Sequence, residues 1–226
     1  MKMKLKLIFI LPFLLLSCAH KSPRKLAQNL TYKIDNNDHY LIGVNFNEIP
    51  THNEDGTINM VVEIPAGSNQ KWEVKKDGIL HWDKKDGELR FVDYLAYPAN
   101  YGMIPGTVAG DGDPMDVIVL GPSKPLGSVV RIRPIGVIRA MDGKKRDDKI
   151  IAVFHEEELT TDEMRKIGLY RVTNLVGLQK KYKGIVPILV KFFKYYKRDK
   201  SGKSKMKILG VSGMDQMPEL KKSLFQ

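Results

Sequence analysis

Apolar residues along this chain come mostly in short runs broken by Gly, Pro and Asp. From Ile58 the pattern is that of strands. Ile58 to Ile64 alternates loosely and stops at Pro65-Ala66-Gly67, a turn. Lys71 to Val74 is a second short strand, and Asp77-Gly78 turns the chain into Ile79 to Trp82. A further turn at Lys84 to Gly87 leads into Leu89 to Val92. Tyr97 to Gly102 reads as a tight aromatic loop. Val117 to Leu120 and Ile150 to Phe154 are unbroken apolar runs, the pattern of buried strands. Ser128 to Ile138 is another strand, crossing a break at Pro134-Ile135-Gly136. Short strands with regular turns predict a closed or partly closed barrel.

The last third changes period. Thr160 is placed as a helix N-cap, with Asp162 and Glu163 in the first turn. Ile185, Leu189, Phe192 and Tyr196 recur at spacings of four, three and four. They predict an amphipathic helix to about Arg198, with Pro187 in its first turn. A strand near Met206 to Leu209 and a helix from about Met217 close the chain.

The N-terminus follows a third pattern. Lys2, Lys4 and Lys6 precede a ten-residue apolar run, Leu7 to Leu16, too short to span a bilayer but suited to a signal peptide. The run ends in Leu15-Leu16-Ser17-Cys18, which resembles a bacterial lipobox and makes Cys18 the expected lipidation site. The expected organisation is a signal peptide over residues 1–18, a flexible polar tether over 19–45 and one domain over 46–226. His20, His39 and His52 share no ligand spacing and are expected to be exposed. Cys18 is the only cysteine, which excludes internal disulfides and cysteine-based metal sites. The chain has 226 residues and a formal net charge of +11, which suits an anionic partner without naming one.

Chemistry concentrates in Asp111-Gly112-Asp113-Pro114-Met115-Asp116. Gly112 and Pro114 make it a turn, and the run from Val117 anchors it to a strand. Three close carboxylates repel one another, and a divalent cation removes that repulsion. Hard oxygen ligands suit magnesium, calcium or manganese better than zinc. A solvated acidic turn is the alternative. An EF-hand loop is excluded: counted from Asp111, the sixth position is Asp116 rather than Gly, and the twelfth is Pro122 rather than Glu. Asp142, Asp147 and Lys149 form a second charged group beside the Asp142-Gly143 turn.

Asp111, Asp113, Pro114 and Asp116 fit D-x-D-P-x-D, and the chain resembles the soluble, family I inorganic pyrophosphatases. The resemblance runs from about Val61 to Lys197. It includes Glu63-Ile64-Pro65, Lys71-x-Glu73, Leu89 to Val92, Asn100-Tyr101-Gly102, Arg133-Pro134-x-Gly136-Val137, Asp142-x4-Asp147-x-Lys149 and Phe192-Phe193-x-Tyr195-Tyr196-Lys197, in that order. It implies an α+β fold, a five-stranded OB-like β-barrel flanked by helices. It also implies magnesium-dependent hydrolysis of diphosphate, with several ions per site and manganese as a possible substitute. By resemblance, Asp111, Asp113, Asp116, Asp142, Asp147, Glu73 and Glu63 hold metal, the two glutamates mainly through water. Asp113 also takes the proton of the attacking water. Lys71, Arg90, Tyr101, Lys149, Tyr196 and Lys197 bind phosphate, and Lys71, Arg90 and Tyr101 join Asp113 as catalytic residues. A homo-oligomer is implied, and no nucleic acid is expected, since carboxylates in a groove repel a phosphate backbone. The lipobox departs from the family pattern. It places the protein in the bacterial cell envelope by a lipid anchor alone, the alternative being the cytoplasm usual for the family. Trp72 and the turn Asp83 to Gly87 are expected to be peripheral to the matched charges.

Overall fold

The structure is a computed structural model and describes residues 30–92 and 95–225. Five strands close into a ring: β3 (Ile58–Ile64), β8 (Asn100–Ile104), β9 (Met115–Leu120), β12 (Lys149–Phe154) and β10 (Val129–Asp142). β3–β8, β8–β9 and β12–β10 pair antiparallel, β9–β12 pair parallel, and β10 returns to β3 through Val129–Ile132 against Val61–Ile58. Closure depends on β10, which pairs with β3 at one end and with β12 in the middle. Its far half carries β13 (Met206–Gly213) and the short β11 (Lys145–Arg146). Between Pro134 and Gly136 the register with β12 shifts, so Ile135 bulges and the strand bends. The break seen in the sequence is thus a bend within one strand.

The apolar runs are explained by burial on both faces. Ile58, Met60, Val62, Ile104, Val117, Val119, Val130, Ile132, Ile150 and Ala152 meet in one cluster to which all five strands contribute, the barrel interior. Their neighbours Ile118, Leu120, Ile151 and Val153 face outward, under α2 (Leu175–Lys181) and α3 (Ile185–Tyr195). α3 buries Leu189, Phe192 and Phe193, with Tyr196 just beyond its end, close to the predicted stripe. α1 (Thr161–Lys166) opens on a capping box between Thr160 and Glu163, and α4 (Pro218–Phe225) closes the described chain. Among the described residues no helix is long and apolar enough to cross a membrane.

At Gly102, beside an irregularity in the β3–β8 pairing, the two backbones approach closely. A Cβ built on Gly102 falls 1.8 Å from the carbonyl oxygen of Val61. Gly102→Ala is therefore expected to cost about 3 kcal/mol by overpacking against backbone, read as a lower denaturant midpoint at unchanged slope. A midpoint equal to wild type overturns this. Tyr97 to Gly102 is accordingly not one loop: Asn100 to Ile104 is strand, paired on both sides.

Residues 30–45 correct the expected tether. β1 (Thr31–Asp35) and β2 (Asp38–Ile42) form a hairpin about Asn36-Asn37, both at positive φ. The hairpin joins β5 (Leu80–Trp82) and β4 (Trp72–Val74) in a small sheet. Every β1 residue is exposed, so little apolar signal marks the strand. His39 and His52 are only partly exposed and contact Tyr32 and the Leu224 carbonyl. The signal peptide, His20, Cys18 and residues 19–29 of the tether lie outside the described residues.

Candidate functional site

Where the ring meets the β4–β5 hairpin and the end of α3, a cleft of about 490 Å³ opens. The charged side chains in it are placed by strands, by the turns and short links between them, and by the end of α3. The acidic turn is closed by Ala109 N–H donating to Asp113 O (2.7 Å) and Gly112 N–H donating to Ala109 O (3.1 Å), with Gly112 at φ +95°. The Thr107 hydroxyl accepts from Met115 N–H at 2.9 Å and so ties the turn to β9. Asp111 and Asp113 are thereby presented to the cleft, with Asp113 exposed. Asp116, on β9, lies beside Lys149 of the parallel neighbour β12.

Lys149 is fully buried. Its ammonium donates to both Asp116 and Asp147. Lys197, just past α3, donates to Asp142 at 2.9 Å and to Asp147 at 3.1 Å. Burial works against the charge on Lys149 and on Lys197. Asp116, Tyr196 and Asp147 outweigh it at Lys149, and Tyr196 followed by Asp147 outweigh it at Lys197, so both pKa values stand above the usual lysine range. Asp147 shows the converse: burial raises its pKa, and Lys149 and Lys197 bring it below the ordinary value.

The opposite wall is built by β3 and β4. Lys71 Nζ lies 2.9 Å from Glu73 Oε1, and Lys75 Nζ lies 2.6 Å from Glu73 Oε2. Burial disfavours charge on Glu73, but the two lysines hold its carboxyl well below the usual range. Lys71 is buried too, yet Glu73, Tyr97, Glu63 and Asp116, in that order, hold its pKa above the usual lysine range. Lys71 and Lys149 also approach the Tyr101 ring, at 5.1 and 5.9 Å from its centroid.

Glu63 differs from the other acids. It accepts from Val74 N–H at 2.7 Å and is buried. Burial dominates and pushes its pKa up to about 8. A carboxyl whose folded pKa is raised stabilises the fold fully below its unfolded value, and that contribution is lost as pH climbs toward about 8. With chelator present, the wild-type melting temperature is expected to fall between about pH 5 and 8, and Glu63→Gln to flatten that fall. Identical slopes for the two proteins reject this assignment.

Of the residues singled out in the sequence, Glu63, Lys71, Glu73, Tyr101, Asp111, Asp113, Asp116, Asp147, Tyr196 and Lys197 line the cleft. Asp142 and Lys149 join through their ion pairs. Arg90 does not line it; its guanidinium turns to Asp83, Nη1 to Oδ2 at 2.9 Å. Asp83, expected to be peripheral, is thus tied to the site. Three residues escaped the sequence reading. Lys75 and Lys76 line the cleft, and the alternation Lys71, Glu73, Lys75 was the available signal. Tyr97 is buried with its hydroxyl unpartnered, and its ring lies 5.0 Å from that of Tyr101 and 6.2 Å from that of Tyr196.

A hard divalent cation fits this donor set in kind and in charge. Seven carboxylates (Glu63, Glu73, Asp111, Asp113, Asp116, Asp142, Asp147) face five lysines (Lys71, Lys75, Lys76, Lys149, Lys197). Among the described residues, Asp111 and Asp113 are in none of the ion pairs that engage Asp116, Asp142 and Asp147. No three carboxylates of the described residues close on one point as placed, and lysine ammonium groups stand between Asp116, Asp142 and Asp147.

Comparison with known proteins follows the same lines. Residues 60–224 match the family model described as inorganic pyrophosphatase. The inorganic pyrophosphatase of Aquifex pyrophilus is 36% identical over 181 residues, covering 77% of this chain and 92% of that protein. That of Gluconobacter oxydans is 50% identical over 102 residues, or 44% of this chain and 56% of its own length. Among solved structures, the inorganic pyrophosphatase from Thermus thermophilus superposes with a TM-score of 0.62 at 28% identity, over 80% of this chain and 97% of that one.

Proposed function

This chain belongs to the inorganic pyrophosphatase family, and from that membership we propose that its cleft hydrolyses inorganic diphosphate to two phosphates. The observation that carries the reading is the interleaving of acids and lysines around one cavity. A pure acid cluster repels diphosphate, and a pure lysine cluster repels metal; this wall accepts both.

We assign magnesium as the metal, with manganese as a substitute: Asp111, Asp113, Asp116, Asp142 and Asp147 would hold several ions, with Glu63 and Glu73 acting mainly through water. When bound, such ions lower the pKa of a coordinated water and neutralise phosphate charge. Lys71, Lys149, Lys197 and Tyr196 hold the leaving phosphate, while the Tyr101 ring keeps Lys71 and Lys149 in place. Asp113, exposed and outside the ion pairs of its neighbours, accepts the proton as the water oxygen bonds to phosphorus. The bridging oxygen then leaves with the second phosphate. Arg90 reaches that phosphate only with donors that Asp83 does not occupy.

The test is phosphate release from diphosphate by the purified chain, with magnesium and with chelator. Fast release that stops with chelator supports the reading. A folded protein that releases none under any divalent metal removes it. We also assign Cys18 as a lipid anchor in the cell envelope and the working form as a homo-oligomer. Cys18→Ala is expected to move the protein from the membrane fraction to the soluble one. A wild type already soluble with an intact N-terminus eliminates the anchor.

A further inference from the structure

Asp83 follows β5 and precedes the small hairpin of β6 (Lys84–Lys85) and β7 (Glu88–Leu89). Its backbone is locked to both neighbours: its N–H donates to Lys71 O at 2.7 Å, and its carbonyl accepts from Arg90 N–H at 2.8 Å. Lys71 N–H donates to Arg90 O at 3.0 Å, so the three segments lie side by side. The carboxylate is only 16% exposed and is shared, Oδ1 with Lys75 at 2.9 Å and Oδ2 with Arg90 at 2.9 Å. With Glu73 between Lys75 and Lys71, this makes an unbroken ladder of alternating charge, Lys71–Glu73–Lys75–Asp83–Arg90. Its first three members line the cleft, and Asp83 does not.

We propose that Asp83 is a positioning residue for diphosphate binding: it fixes Lys75 at the cleft wall and tethers the guanidinium of Arg90 behind that wall. The inference rests on the diphosphatase reading and adds to it a residue that touches no substrate. A single Asp83 contact leaves most of the five N–H donors of Arg90 for an anion. The ladder also keeps Lys75 from collapsing onto Glu73 alone.

Two physical effects of Asp83 have opposite signs. As a bare negative charge near the cleft it weakens anion binding, so its removal tightens binding. As an anchor it orients two cations, so its removal loosens binding. The proposal states that orientation wins. In the full chain, Asp83→Asn is expected to raise KM for diphosphate about tenfold while kcat stays within about threefold, and Asp83→Glu to recover most of the loss. In an Arg90→Gln, Lys75→Met background the same Asp83→Asn change is expected to do almost nothing further to KM. A folded Asp83→Asn with unchanged or lower KM overturns the proposal, as does a fall in kcat alone. If Asp83→Asn does not fold, Lys75→Met takes its place: a raised KM supports the ladder and an unchanged one overturns it. A wild type without diphosphatase activity sinks the catalytic reading and this one together, a result distinct from an active enzyme indifferent to Asp83.

Discussion

Asp113→Asn is expected to slow phosphate release about 1000-fold and to leave the fold intact. The size follows from the role. Loss of a positioned general base costs roughly 10²- to 10⁴-fold, and asparagine keeps the shape of aspartate without its proton affinity. The second half of the expectation comes from the structure. Asp113 is exposed on a turn closed by backbone hydrogen bonds, and its own N–H reaches Asp111 Oδ1 at 3.2 Å whatever its side chain carries. Its stability change is expected within about 0.5 kcal/mol, as for surface substitutions away from special features. The deficit is therefore in kcat and persists at saturating magnesium. A variant restored to wild-type rate by more metal has lost only a ligand, and the base then lies elsewhere. A rate within tenfold of wild type at all metal concentrations removes Asp113 from the chemistry.

The residues that were legible in the sequence are those whose neighbours in space are also neighbours in the chain, or lie on strongly apolar elements. Asp111, Asp113 and Asp116 share one turn, so their proximity needs no tertiary knowledge. Leu189, Phe192 and Tyr196 are buried because α3 has one apolar stripe. Val117 to Leu120 and Ile150 to Phe154 read as strands because both their faces are covered. The misses have the opposite character. β1 is exposed throughout, β2 is only half-buried, and the hairpin is turned by Asn-Asn rather than by a glycine pair, so little separates it from a tether. α2 is seven residues long and carries little periodicity. Arg90 matched a charge type at the right spacing, yet spacing does not give the direction of a long side chain. That direction is set by Asp83, seven residues earlier across the β6–β7 hairpin. Lys75 was passed over for a related reason: in a chain with 37 Lys and Arg, one more lysine carries little information until Glu73 and Asp83 are seen to hold it.

The largest combined effect on stability and rate is expected at Lys149. Lys149→Met keeps the apolar stem in a fully buried position and removes the ammonium that joins Asp116 and Asp147. The two acids are then left with Lys197 on Asp147 alone, and Asp116 loses its cation. Removing one partner of a buried ion pair costs about 3–5 kcal/mol, because the remaining charge is desolvated without compensation. In a chain of this size that is a fall of about 10 °C in melting temperature. Divalent metal acts on the same excess of negative charge. Magnesium is therefore expected to raise the melting temperature of Lys149→Met more than that of wild type. Rate does not return with stability, since a metal ion held by the acids does not replace a fixed cation on the leaving phosphate; kcat is expected to stay about 100-fold down in saturating magnesium. Thermal melts with and without magnesium, paired with phosphate release, separate the two effects. A variant that melts with wild type in chelator would show that Asp116 and Asp147 do not depend on Lys149. A variant that magnesium fully reactivates would show that this lysine serves the fold and not the reaction.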